Sequence, residues 1–245
     1  MDERELAFRL SAAGTAWRTA QGTWRHWRRQ DLVVVAFNRH FDRLREAGEV
    51  WTVLVAVKAD DVDDVEPSEP ADPIIESVWS VAVDRPARRM RVALEDASGE
   101  ELRPDVVVWN GDTFWARTGR SVLTNNGDVD HGHGGDEIRA LLEPDYVAAL
   151  YDLRAIGEPV LLGRPCTRVA ARERPGVGDR DRDQFRGDPF GMIAGGEDFL
   201  LDVDDATGVL VRAVKLVDGE QAEIMEWTQL TLDNPLDEAL FAPLE

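Results

Sequence analysis

The chain has 245 residues and 43% apolar composition, enough to bury a sizeable interior, and eight Trp against two Tyr supply large rings for a core or a ligand cavity. Its net charge of −20, from 48 acidic and 28 basic residues, repels phosphate backbones and argues against nucleic acid as a partner. With the single cysteine Cys166 no intramolecular disulfide can form, and no apolar run approaches the roughly 20 residues of a membrane span.

In chain order, Leu6, Leu10, Ala13 and Trp17 fall at helical spacing, with Asp2 and Glu3 suited to the positive end of a helix dipole, so a helix is expected over 2–21. Thr23 is placed to cap a second helix, in which Trp24, Trp27, Val34, Phe37, Phe41 and Leu44 follow at steps of three, four and seven until Gly48. The β-branched run Leu32 to Val35 pulls the other way, toward a strand. Val50 to Val57 reads as a short buried strand, and the acidic, Pro-containing stretch 59–73 as a solvated loop.

From Ile74 the period becomes two. Ile75, Ser77, Trp79, Val81 and Val83 share one face of a strand, as do Met90, Val92 and Leu94 in the next. Asn110-Gly111 between two apolar runs predicts a hairpin with a type I′ turn. Residues 124–136 read as a Gly- and Asx-rich loop, 137–150 as a helical insert of two short helices, 152–158 and 164–174 as strands, and 175–196 as a long loop. A three-stranded meander closes the chain, with turns at Asp205 to Gly208 and at Asp218-Gly219. The expected architecture is α+β: a single domain over 1–245, with a helical part over 1–48, and over 50–245 an antiparallel sheet of about nine to eleven strands.

Three groups of residues bear on chemistry. His131 and His133, near Asp128, Asp130 and Asp136, bring imidazole and carboxylate together. His-Gly-His-Gly-Gly is too flexible to preorganise a site, so metal at His131, His133 and Asp130, and with it a metal-dependent hydrolase, is the remote reading and a turn-rich loop the preferred one. His26 and His40 lie fourteen residues apart, about four turns of a continuous second helix, too far along it to share a ligand. Arg25, Arg28 and Arg29 crowd the same helix and would give a basic interaction face. No Gly-x-Ser-x-Gly elbow or Walker-type loop occurs, so neither catalysis nor a cofactor is expected.

Several turns and strand openings together carry a resemblance: Val-Trp-Asn-Gly-Asp-Thr-Phe-Trp at 108–115, Leu-Leu-Glu-Pro at 141–144, Gly163-Arg164-Pro165-Cys166, the stretch 201–212, and Pro-Leu-Asp-Glu-Ala-Leu-Phe at 235–241. Over roughly 74–245 the chain resembles the LolA-like lipoprotein-carrier superfamily, particularly actinobacterial members of unknown function. The resemblance implies an unclosed, strongly curved half-barrel whose concave face is covered by helices and encloses an apolar cavity. A non-enzymatic carrier or sensor of a lipid or other apolar molecule follows, with Trp17, Trp24, Trp79, Trp109, Phe114 and Trp115 as candidate cavity residues. The rival expectation is a protein-interaction module using the Arg-rich helical face. As written, the N-terminus has no secretory signal and the expected location is the cytoplasm, with export only if the start codon is misassigned.

Overall fold

The computed structural model describes residues 2–46, 73–98, 104–126, 135–174, 177 and 198–244. The expected strand at 50–57, the acidic loop 59–73 except its last residue, His131, His133, Asp130 and most of the 175–196 loop lie outside them.

Helix α1, Glu3–Ala12, is capped by Asp2, whose side chain accepts from the Glu5 N–H at 2.8 Å, and it buries Leu6 and Leu10. A 3₁₀ turn at Ala13–Thr15 ends it, earlier than residue 21. The next segment is not helical. Thr19–Arg29 is strand β1, and helix α2 begins only at Gln30 and runs to Glu46. The reason is tertiary: β1 lies between two other strands, and pairing along both edges outweighs the helical spacing of Trp24 and Trp27. Helix α2 keeps the Leu32 to Val35 run and packs Leu32 and Ala36 on Val217 and Ala222.

The remaining strands are β2 Ile74–Asp84, β3 Arg89–Ala97, β4 Val106–Asn110, β5 Thr113–Thr118, β6 Ser121–Asn126, β7 Tyr151–Gly157, β8 Val160–Leu161, β9 Arg164–Glu173, β10 Asp198–Asp204, β11 Leu210–Val217 and β12 Glu220–Leu232. They form one antiparallel sheet in the order β6-β5-β4-β3-β2-β1-β12-β11-β10-β9-β7, with β8 pairing β9. The sheet is unclosed: β6 and β7 are its two edges. Placing β1 between β2 and β12 joins the two meanders, and it is the strand that the sequence reading took for helix.

Turn chemistry sets the hairpins. Asp218 and Gly219 both have positive φ, 53° and 82°, the type I′ pattern. In the β4–β5 hairpin Asn110 pairs with Thr113, so the two loop residues are Gly111 and Asp112 rather than Asn110 and Gly111. Only Gly111 has positive φ there, the type II′ pattern.

Helices α3, Asp136–Leu142, and α4, Asp145–Leu150, join α1 over one face of the sheet. The main core lies between them and that face. Across its centre, Trp227 of β12, Trp24 of β1 and Trp79 of β2 stand in one cross-strand row, each almost wholly buried. The opposite face has a smaller cluster, Ala93, Val106, Val108 and Trp115, covered near Leu244 by the C-terminal segment. Among the described residues no helix is long and apolar enough to cross a membrane.

Candidate functional site

Because α1, α3 and α4 fill most of the covered face, the candidate cavity residues separate. Trp24, Trp79 and Phe114 are wholly enclosed in the core, with the Trp79 indole N–H donating to the Ser77 hydroxyl at 2.9 Å. Trp115 faces the other way: on a strand it must point opposite to Phe114, and it packs in the second cluster. Trp17 and Trp109 both line an open pocket on the covered face.

That space is a pocket of about 220 Å³ at one end of the covered face. Its apolar wall is Trp17, Val83, Met90, Trp109 and Leu142. Trp17 is fixed by its indole N–H, which donates to the Leu142 carbonyl at 3.1 Å and so ties the start of β1 to the end of α3. On the other side Gly135, just before α3, lies so close that a Cβ there would fall 2.5 Å from Met90 Cε and 3.0 Å from a Trp109 ring carbon. The pocket is thus held from both ends of α3.

Its rim is charged. Arg85, Arg88, Arg89 and Arg139 line it, with Asp84 and Glu143. Arg85 stacks over the Trp17 ring at 5.8 Å and pairs with Glu143 at 3.2 Å. Arg88 pairs with Asp112 at 2.6 Å. Arg89 is bonded to both Asp84 and Glu238 and lies over the Phe241 ring at 4.7 Å. The hydrogen bond from Arg89 holds the Glu238 carboxyl below its usual range. Arg139 is half-buried on α3, and no carboxylate among the described residues pairs with it.

A second polar group lies among buried side chains of β1, β11 and β12. His26 is hydrogen-bonded through Nε2 to Glu223 Oε1, and Lys215 is the cross-strand neighbour of Glu223. All three are buried. Among the described residues His26 Nδ1, Glu223 Oε2 and the Trp227 indole nitrogen find no hydrogen-bond partner. Sequence reasoning missed this group because it placed His26 on a helix. The alternation of Ala20, Trp24 and His26 against Gln21 and Arg25 was the available signal.

The expected basic helical face is instead a paired strand surface. Arg25 lies between Glu76 at 3.5 Å and Glu226 at 2.7 Å, and Arg29 between Asp31 at 2.6 Å and Glu220 at 2.7 Å. Arg28, also on β1, is buried to an intermediate degree. Among the described residues no cluster of three or more His, Cys, Asp or Glu side chains is arranged to hold a metal.

No protein-family model matches the chain, and no curated protein is significantly similar to it. Among solved structures, the MucB crystal structure superposes with a TM-score of 0.53 at 16% identity, over 98% of this chain and 62% of that one. The fold of this chain is similar to that of MucB. The Pseudomonas aeruginosa MucA/MucB complex matches with a TM-score of 0.50 at 19% identity, over 99% of this chain and 61% of that one. This chain therefore spans about three-fifths of the MucB chains it matches. The Mycobacterium tuberculosis lipoprotein LppX matches with a TM-score of 0.47 at 13% identity, over 97% of this chain and 99% of that one. The MucB matches are likenesses of fold alone.

Proposed function

We propose that this protein is a non-enzymatic carrier or sensor that holds an apolar ligand where the helices meet the sheet. The observation that carries the reading is the pocket walled by Trp17, Val83, Met90, Trp109 and Leu142, where α3 meets the sheet. At about 220 Å³ it lies below the usual 300–1,000 Å³ of a small-molecule site, a size suited to one end of an acyl chain. The fold likeness to MucB, solved in a complex with MucA, supports a binding role over a catalytic one.

The test is a titration of the purified protein with a fluorescent fatty acid, beside native mass spectrometry before and after solvent extraction. Saturable one-to-one binding is expected. A Met90→Trp substitution, which fills the pocket, is expected to weaken that binding at least tenfold while the protein stays folded. Absence of saturable binding by the unmodified protein overturns the reading.

A further inference from the structure

We infer that the pocket selects amphiphiles with an anionic headgroup, a carboxylate or a phosphate ester, and that Arg139 is the residue that takes the headgroup. This rests on the proposal that the pocket holds an apolar chain. In a protein of net charge −20, an anion approaching at random is repelled, so its admission needs a place where that charge is offset. The pocket mouth is one: Arg85, Arg88, Arg89 and Arg139 balance Asp84, Glu143, Asp112 and Glu238 there.

The arginines are not equivalent. Arg85, Arg88 and Arg89 each have a carboxylate partner, so a ligand anion would have to displace Glu143, Asp112, Asp84 or Glu238 to reach them. Arg139 has none among the described residues, so an anion reaching its guanidinium displaces none of the carboxylates that hold the other three. Its position is also fixed. Arg139 stands one turn before Leu142 on α3, and Leu142 is anchored by Trp17 through its carbonyl. The guanidinium therefore borders the indole and thioether wall, where reduced solvent strengthens a bidentate pair with a carboxylate or phosphate.

The experiment compares dodecanoate, dodecyl phosphate and dodecanol, each below its micellar concentration, by displacement of the fluorescent fatty acid. It uses the full chain, Arg139→Gln, and Arg172→Gln as a control on an exposed arginine of β9 that pairs with Asp198 away from the pocket. The unmodified protein is expected to bind both anions at least tenfold more tightly than the alcohol. Arg139→Gln is expected to remove that preference while leaving dodecanol unchanged, and Arg172→Gln to leave both anions unchanged within twofold. Either order of dodecanoate and dodecyl phosphate supports the inference and names the preferred headgroup. Equal binding of anions and alcohol by the unmodified protein overturns the inference and leaves the apolar-ligand reading standing. Arg139→Gln weakening all three ligands alike also overturns it, since the residue then only shapes the wall. No binding of any of the three defeats both. Should Arg139→Gln fold poorly, the anion-to-alcohol ratio of the unmodified protein decides.

Discussion

At the scale of single residues, Gly22 marks how tightly the central strands approach. It faces Leu230 across the β1–β12 ladder, beside a register shift at Thr23 and Trp24, and a Cβ built on it would lie 1.9 Å from the Gln229 carbonyl oxygen. Nothing but backbone can relieve that contact, so Gly22→Ala must move a strand. We expect it to cost about 3 kcal/mol, at the upper end of overpacking penalties, measured by urea unfolding with an unchanged slope. Gly119→Ala is the comparison: it has positive φ but open space around it, and is expected to lose only about 1 kcal/mol of left-handed backbone strain. Equal losses in the two variants would mean that the strands separate more easily than the ladder indicates. The same neighbourhood shows where residue-level reading stopped. Trp24 and Trp27 are spaced as helix neighbours, yet they lie on opposite faces of β1, and only the company of β2 and β12 decides between the two periods. Arg139 could be seen in the sequence but not singled out, because its distinction is that no carboxylate among the described residues pairs with it, and partners are assigned by tertiary structure.

At the scale of elements, the β10–β11 turn acts as a clasp for α1. Arg9 donates to the Asp205 carbonyl, and Gly208, with φ of +77°, approaches so closely that a Cβ would sit 2.3 Å from the Arg9 carbonyl oxygen. The carboxylates around this turn are engaged within the fold: Asp202 by Arg168, Asp204 by Arg164 and Asp205 by the Thr167 hydroxyl. Gly208→Ala therefore carries two penalties, backbone strain and a clash with α1, together about 2–3 kcal/mol. Hydrogen exchange is expected to show protection lost first in residues 3–12, before β1 is affected. Uniform loss across helix and sheet would show that the turn does not hold the helix in particular. This turn was legible because Asp, Thr and Gly have short-range reasons to turn a chain, and so were the Asp218-Gly219 hairpin and helices α3 and α4. Strand β6 was not, since Ser121–Asn126 is an edge strand with Val122 and Leu123 exposed and lacks an alternating buried face.

At the scale of the whole molecule, eleven strands run in sequence without closing, so the open question is whether such a sheet opens as one body or frays from an end. Cys166 can report on it. It lies on β9, next to the edge strand β7, pairs with Asp204 of β10, and belongs to a chain with no other cysteine. The thiol is buried, and burial pushes its pKa from 9.0 up to about 11. Because the ionised form is the one disfavoured in the fold, the unfolded chain loses this proton first as pH rises. The stabilisation is therefore fully present below pH 9.0 and declines between 9.0 and about 11. Near pH 8 the folded thiol is protonated and covered, so iodoacetamide has to wait for an opening. Labelling is expected to be at least a hundredfold slower in native buffer than in urea-unfolded protein. Across a urea series its rate should follow the unfolded fraction measured by circular dichroism, which is the signature of a sheet that opens together. A rate that rises at urea concentrations where circular dichroism is still native would locate a weaker unit at the β7–β10 end. The MucB-like sheet would then be two cooperative halves joined at β1 and β12, rather than one.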